Sequence, residues 1–195
     1  PHLLVAHPSV QASNMAELVA LSKRQPMNVS SAGSGSANHL GVVDIALISG
    51  LKWQHVPFRG GAAALGDTAA GNTQLCLNGM LATMPLVTAG RLKLIGVSKA
   101  TRMALIGSVP TIAEQGVKGF ESGTYQGVAI PSSMPNAAAE KLAAALIAVI
   151  RSPDVRARLT ALGVVSLTGE PVTRPWGQRN FFFADPEGNY IEIGS

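Results

Sequence analysis

The segment "MNVSSAGSGSANHLGVVDIALISG", residues 27–50, joins a short apolar run to a loop of small residues and then to a longer amphipathic run that ends in glycine. The first run predicts a strand, and the second predicts a helix for which Gly50 is the stop signal. The same order of strand, short connection and helix recurs through residues 1–98, where we expect five strands and four helices. Such alternation is typical of right-handed crossovers between parallel strands. The predicted fold class is therefore α/β, with a mainly parallel sheet.

The alternation weakens after residue 100. Residues 109–117 favour a turn followed by a short helix, and residues 136–152 form the strongest helical pattern of the chain, with Asn136 as a candidate cap. A second helix is predicted from Pro153 onward, because proline is favoured in the first turn of a helix. In "RNFFFADPEGNYIEI", residues 179–193, two β-rich runs flank the turn signal "DPEGN". This tail predicts a β-hairpin.

The composition limits the classes of function. The chain is 47% hydrophobic and 13% charged, which supports a sizeable core and argues against disorder. The net charge of +4 comes from scattered basic residues without a basic block, so no nucleic-acid partner is expected. No apolar run reaches the roughly 18 residues that a membrane span requires. Cys76 is the only cysteine, so no disulfide can form within the chain, and the pattern around it predicts a buried, small apolar side chain.

Enzyme chemistry has little support in the motifs. The four histidines lack a metal-binding spacing such as His-Glu-x-x-His, and no Gly-x-Ser-x-Gly nucleophile motif is present. The acidic residues in the first half lie in apparent amphipathic helices, where a solvated carboxylate is the ordinary outcome. We therefore expect a protein that is not an enzyme and that needs no cofactor.

The small-residue loop lies where a strand should end and a helix should begin. Gly33 and Gly35 permit tight backbone geometry, and Ser34 and Ser36 can cap the helix or donate hydrogen bonds. Ligands of parallel α/β sheets gather at the carboxyl ends of strands, and the N–H groups of a helix start favour an anion by about 0.3–1 kcal/mol. The loop therefore predicts either a carboxylate site or a tight turn that binds nothing.

Two neighbouring strand ends repeat this arrangement. In "HVPFRGG", residues 55–61, Arg59 could hold a carboxylate through a bidentate pair, or it could be an ordinary surface arginine. The third strand end carries Asn78 followed by Gly79, which would present a neutral amide. Three strand ends thus offer hydrogen-bond donors without a catalytic pair, which favours non-covalent binding.

Six motifs, in chain order, resemble the Bug-type receptors of tripartite tricarboxylate transporters. They are "LLVAHPSV…SNMAELVALSK", "SSAGSGSANHL", "HVPFRGGAAALGD", "LATMPLVTAGRLKLIGVS", "SVPTIAEQGVKGFE" and "VRARLTALG", and they span roughly residues 2–167. The resemblance implies a periplasmic solute-binding protein whose two α/β lobes close on a small organic carboxylate and which serves membrane transporter subunits. It implies a ligand-binding lobe at residues 1–98, a segment at 99–168 that returns to the other, incomplete lobe, and a β-hairpin tail at 169–195.

The resemblance also implies which residues contact the ligand. Carried over motif by motif, the implied binding residues are Ser31, Gly33, Ser34, Gly35, Ser36, His39, Arg59 and Asn78. Members of the family often carry aspartate at the position of Asn78, so the resemblance does not imply which solute is preferred.

The two ends of the chain suggest further expectations. The first lobe of the family normally precedes the segment that begins here at Pro1, and the chain starts with neither methionine nor a signal peptide, so we expect a receptor fragment or a fusion. An uncovered lobe interface would favour self-association. Residues 169–195 resemble the last strands of glyoxalase/bleomycin-resistance (vicinal oxygen chelate) proteins, where a glutamate at the position of Glu192 is commonly a metal ligand. The alternative functions are therefore a metalloenzyme of that class and a fusion product without an evolved function.

Overall fold

The computed structural model describes the backbone of residues 1–103, 106–124, 128, 130–131, 133–161, 172–173, 179–184 and 190–194. Side chains are described in the same ranges as far as residue 158, apart from residue 156. The chain divides into two compact units, Pro1–Thr124 and Tyr125–Ser195.

The first unit contains a mixed five-stranded sheet. Its strands are β1 (His2–Ala6), β2 (Asn28–Ser31), β3 (Gln54–Pro57), β4 (Leu75–Gly79) and β5 (Lys93–Val97), in the spatial order β3-β2-β4-β1-β5. Strand β2 pairs in parallel with β3 and β4, whereas β1 is antiparallel to both β4 and β5. Four strands therefore share one direction, which confirms the predicted α/β fold with a mainly parallel sheet.

Strand β1 runs in the opposite direction to the other four strands, whereas the alternation of strands and helices predicted parallel neighbours. All five residues of β1 are buried, and a strand buried on both faces has the same apolar pattern in either direction. The pattern therefore could not reveal the direction of this strand. The consequence is spatial: His2, at the start of β1, pairs with Gly79, at the end of β4.

Four helices follow the strands as predicted: α1 (Met15–Ser22), α2 (Ala37–Ser49), α3 (Gly61–Ala69) and α4 (Met80–Thr88). Asn14 caps α1, since its side-chain oxygen accepts a hydrogen bond from the Glu17 N–H at 2.9 Å. Gly50 ends α2 in the left-handed conformation, with φ of +64°, as the sequence predicted.

The helices cover both faces of the sheet. On one face, Leu4 and Val29 pack with Ile45 of α2 and with α1; on the other, Val5 and Cys76 pack with Leu65 of α3 and with α4. Cys76 is fully buried as predicted, and its burial raises the pKa of the thiol to about 11. Helices α2 and α3 therefore lie on opposite faces of the sheet.

Residues 111–120 add to the core of the first unit. Thr111 forms a parallel bridge with Val97, and Ile112, Val117 and Phe120 join the core cluster on the α1 and α2 face. This segment forms turns, so the short helix predicted within residues 109–117 was wrong. Glycine at 116, with φ of +108°, interrupts a continuous helical backbone there.

The second unit contains α5 (Asn136–Arg151), α6 (Pro153–Ala161) and the strands β6 (Val172–Thr173), β7 (Arg179–Ala184) and β8 (Tyr190–Gly194). Strands β7 and β8 pair antiparallel, which confirms the predicted hairpin, and β6 adds to it. The "DPEGN" turn at 185–189 lies outside the described residues, and so does "VVSLTG" at 164–169, whose pattern predicts a short strand. The cap prediction for α5 was wrong: Pro135 occupies the cap position, and its carbonyl accepts from the N–H groups of Ala138 and Ala139.

Candidate functional site

The sheet topology gathers several chain segments at one edge. Strands β2, β3 and β4 all end there, and β1 begins there because it runs in the opposite direction. Helix α2 leaves this edge on one face of the sheet, and α3 leaves it on the other. The edge between β2 and β4 is therefore a topological switch point, the place where open α/β sheets bind ligands.

The small-residue loop forms the capped start of helix α2. Ser36 caps α2: its Oγ accepts a hydrogen bond from the His39 N–H at 3.2 Å and donates to the Gly33 carbonyl at 2.7 Å. Gly33 and Gly35 have φ of +133° and +77°, a region that glycine adopts readily and other residues avoid. Ser34 and Gly35 are exposed at the tip of the loop.

The first turn of α2 offers free donors. Within the described hydrogen bonds, the N–H groups of Ala37 and Asn38 find no acceptor, as is usual for the first positions of a helix. The partial positive charge at a helix start adds to them. The start of α2 can therefore donate hydrogen bonds to a negatively charged oxygen.

Two histidines stack beside the loop. The rings of His39, on α2, and His55, on β3, have centroids 3.8 Å apart and planes 17° apart. The Gly35 N–H donates to His39 Nδ1 at 3.0 Å, and Ser31 Oγ lies 2.6 Å from His55 Nε2. Burial, and then the charge of His39, lower the pKa of His55 below its usual value.

The loop after β3 is bonded to the loop after β2. The Phe58 N–H donates to the Ser31 carbonyl at 3.0 Å, and the Gly60 N–H donates to the Ala32 carbonyl at 3.2 Å. Arg59 lies between these two bonds, is exposed, and has no ion-pair partner in the part of the chain with described side chains. A cation that is free of such a partner is available to an acidic ligand.

Asn78 connects the starts of α2 and α3. Its Oδ1 accepts from Asn38 Nδ2 at 3.2 Å, and its Nδ2 donates to the Gly61 carbonyl at 2.9 Å. A Cβ atom at Gly61 would lie 2.5 Å from Asn78 Oδ1, so glycine is needed there. Asn78 thus holds the edge together, while the contact with ligand implied for it stays a prediction.

His2 adds a buried polar group at the same edge. Its side chain is fully buried, and its Nδ1 lies 2.8 Å from Ser122 Oγ. Burial, and then the positive charge of the chain's amino terminus, lower the pKa of His2 to about 4. The ring is therefore neutral at pH 7.

The structure thus brings the predicted site residues together. Ser31, Gly33, Ser34, Gly35, Ser36 and His39 belong to one strand-to-helix connection, Arg59 to the adjoining loop, and Asn78 to the next strand end. Ser31 is fully buried, so it shapes the loop from inside. Sequence reasoning missed Asn38 and His55 as members of the site. The alternation of side chains along β3 could have indicated His55, which lies two residues before the end of the strand.

The metal-binding alternative has no support in the described part of the chain. No group of three or more histidine, cysteine, aspartate or glutamate side chains there could hold a metal ion. Glu192 lies on β8, among residues whose side chains are not described. Likewise, no described helix is both long and apolar enough to cross a membrane.

The chain has the same fold as solved periplasmic binding proteins. One solved structure of this class, titled "Structure of periplasmic binding protein BugD", is 24% identical, with a TM-score of 0.73 over 83% of this chain and 55% of that one. The sequence then defines the family: residues 1–174 match the family described as "Tripartite tricarboxylate transporter family receptor", and the chain belongs to it. This is a family of receptors and not of enzymes.

Individual relatives agree with this assignment. The chain is 30% identical over 174 residues to the UPF0065 protein in the tcbD-tcbE intergenic region of Pseudomonas sp. (strain P51), an alignment that covers 88% of this chain and 52% of that protein. It is 28% identical to Rpa4515 of R. palustris, solved with adipate, with a TM-score of 0.75 over 84% of this chain and 55% of that one. The chain therefore spans about half the length of the relatives it matches. These comparisons give no support to the resemblance of the tail to vicinal oxygen chelate proteins.

Proposed function

We propose that the edge formed by the loop at residues 31–36, the start of α2 and Arg59 binds a carboxylate group of a small organic acid. The protein acts as a receptor in uptake of the tripartite tricarboxylate type, in the periplasm, and delivers its solute to membrane transporter subunits. The ligand contacts implied for Ser34, Ser36, His39 and Asn78 are part of this proposal.

The start of α2 is the observation that carries the proposal. Three features meet at one switch point: two N–H groups without an acceptor among the described hydrogen bonds, the positive end of a 13-residue helix, and an arginine without an ion-pair partner among the described side chains. A carboxylate can accept from both N–H groups and pair with the guanidinium at once. No anionic side chain of the described edge competes for these donors, because the elements that form it carry only Asp44 and Asp67, both beyond the first turns of α2 and α3.

The related structure suggests a ligand class. Rpa4515, with which this chain shares 28% identity, was solved with adipate, a linear dicarboxylate. We extend this class to the present chain and propose aliphatic dicarboxylates as its first candidates. Two carboxylates on one ligand would allow one group to contact the edge described above.

Isothermal titration calorimetry with adipate, shorter dicarboxylates and aromatic acids tests the proposal. The matched control ligand is 1,6-hexanediol, which has the carbon chain of adipate without its charges. We expect saturable binding of at least one dicarboxylate and none of the diol. A folded protein that binds no acid in the panel would refute the proposed function.

A further inference from the structure

In the stacked pair of His39 and His55, one nitrogen of each ring has a hydrogen-bond partner in the loop. Each ring has one nitrogen tied to the loop: His39 Nδ1 accepts from the Gly35 N–H at 3.0 Å, and His55 Nε2 lies 2.6 Å from Ser31 Oγ. Among the described residues, no hydrogen bond reaches His39 Nε2 or His55 Nδ1. Both side chains are half-buried, so the free nitrogens belong to rings that solvent and a ligand can reach.

The hydrogen bond from Gly35 determines the tautomer of a neutral His39 ring. Because a backbone N–H donates to Nδ1, that nitrogen has to be an acceptor, and the neutral ring therefore carries its proton on Nε2. In this tautomer, Nε2 is the donor of the ring beside the helix start.

Three features oppose a positive charge on this pair in the free protein. Two imidazolium rings stacked at 3.8 Å would repel each other. His39 is the third residue of α2, where the helix start is itself positive. Protonation of Nδ1 would also place two donors face to face at Gly35. The lowered pKa of His55 agrees with these features.

The acids of the neighbouring segments are paired or lie elsewhere: Glu121, beside the Ser122 that packs on Gly41 of α2, forms an ion pair with Lys99 at 3.2 Å. Strand β2 carries no titratable side chain, and Arg59 after β3 adds another positive charge. Asp44 is the nearest acid along α2, but it lies five residues after His39, about 140° around the helix. Asp67 is on α3, on the opposite face of the sheet, and Lys52 precedes β3.

We propose that His55 is a positioning residue of the carboxylate site, and that the stacked His39–His55 pair takes up a proton when a carboxylate binds. This inference rests on the proposed function, because the ligand supplies the negative charge that the edge lacks. A carboxylate at the start of α2 offsets the positive charges of the helix start and of Arg59, so one positive charge on the histidine pair is opposed less than in the free protein. By linkage, a site that gains a proton on binding binds more tightly as the pH falls.

The first experiment measures proton uptake directly. Calorimetric titrations with adipate at pH 6.5, in buffers of different ionisation enthalpy, give the number of protons taken up per ligand bound. Carboxylic acids ionise near pH 4–5, so the ligand itself contributes little at this pH. We expect uptake of a measurable fraction of a proton, and a Kd three- to tenfold higher at pH 8 than at pH 6.

The second experiment identifies the group. Long-range proton–nitrogen NMR spectra of the histidine rings distinguish neutral from protonated imidazoles. Saturating adipate at pH 6.5 should move the nitrogens of His39 and His55 toward the imidazolium state and leave those of His7 unchanged. His7 is a suitable internal control because it follows the opposite end of β1.

Variants separate the pair from a general effect on folding. His55→Phe keeps a stacked aromatic ring but cannot titrate, and it should flatten the pH dependence at least twofold; His7→Asn should leave the pH dependence as it is. If adipate and the other acids fail to bind at any pH, the proposed function fails and this inference fails with it. If adipate binds without proton uptake, or both rings stay neutral in the saturated protein, only the inference is overturned.

Discussion

At the scale of single residues, Ser36 has two roles that a substitution can separate. It caps α2 through its Oγ, and it lies beside the free N–H groups proposed to receive the carboxylate. Aspartate and asparagine are both good caps, but only aspartate brings a fixed negative charge. The pair Ser36→Asp and Ser36→Asn therefore differs in charge at nearly constant helix stability.

We expect Ser36→Asp to weaken dicarboxylate binding at least tenfold, which corresponds to about 1.4 kcal/mol. Ser36→Asn should weaken binding much less, because it introduces no repulsion. Both variants should unfold at nearly the same denaturant concentration as the parent chain. Equal affinities of the two variants in calorimetry would show that the loop is only a turn.

His2 gives the fold a pH dependence whose sign is set by burial. Its pKa is lowered from 6.5 to about 4 in the folded protein. Between these values the unfolded chain binds a proton at His2 and the folded chain does not, so the free energy of unfolding decreases as the pH falls from 6.5 to 4. The full effect is on the order of 3 kcal/mol, and the lost stability returns as the pH rises to 6.5 and above.

Urea denaturation at pH 7 and pH 4.5 measures this effect. The His2→Gln variant keeps a polar side chain but cannot gain a proton in this range. We expect the loss of stability on acidification to be clearly smaller in His2→Gln than in the parent chain. Parallel losses in the two proteins would contradict the assignment to His2.

At the scale of helices and strands, the sequence predicted the features that depend on a few neighbouring residues. The glycine after α2 and the alternation of runs along residues 1–98 each act within a few residues, and the structure has the corresponding elements. The direction of β1 depends on pairing with β4 and β5, which lie about 70 and 90 residues away in the chain. Asn136 was predicted as a cap from its type, but Pro135 already has the extended backbone of a cap, with ψ of 138°.

Gly50 and Gly66 allow a matched test of helix propensity against helix termination. A Cβ atom would meet nothing within 4 Å at either position, so only the backbone distinguishes them. Gly50 has φ of +64°, whereas Gly66 lies inside the regular helix α3. We expect Gly50→Ala to destabilise the protein by about 1 kcal/mol and Gly66→Ala to stabilise it by about 0.5–1 kcal/mol.

Thermal and urea denaturation of both variants measure these changes. The opposite signs make each variant a control for the other, because both substitutions add the same methyl group to an open position. Destabilisation of similar size in both would show that unseen packing, and not the left-handed backbone, decides the outcome at Gly50.

At the scale of the whole molecule, the sequence motifs predicted the family, and the small-residue loop predicted a helix start at the edge proposed to bind the carboxylate. The members of the site that were missed depend on tertiary contacts. Asn38 joins the candidate site because Asn78 contacts it from a strand 40 residues later, and His55 joins it because its ring stacks on His39 of α2. No local pattern encodes either contact, so only the assembled sheet could show them.

The exposed apolar side chains of the first unit concentrate on one helix. Leu40, Val43, Leu47 and Ile48 of α2 are 60%, 39%, 75% and 45% exposed. Leu40, Val43 and Leu47 recur at intervals of three and four residues, so they form a stripe along one side of α2. In the second unit, α5 exposes Leu142 and Val149 to 38% and 57%, and it has no fully buried residue. Contiguous apolar surface of this kind seldom stays free on a monomer.

We therefore expect the chain to self-associate, as the sequence predicted, with the α2 stripe contributing more than α5. The double variant Leu40→Gln/Leu47→Gln removes the most exposed part of the stripe without a change in charge, and Val149→Gln is the matched change on α5. In size-exclusion chromatography with light scattering, the parent chain should exceed its monomer mass of 20.1 kDa, the α2 variant should return toward it, and the α5 variant should change less. We also expect the tail to cover apolar surface of α5, so deletion of residues 169–195 should lower solubility or enlarge the assembly. A parent chain that stays monomeric at every concentration, with or without its tail, would show that the stripe is tolerated as ordinary surface.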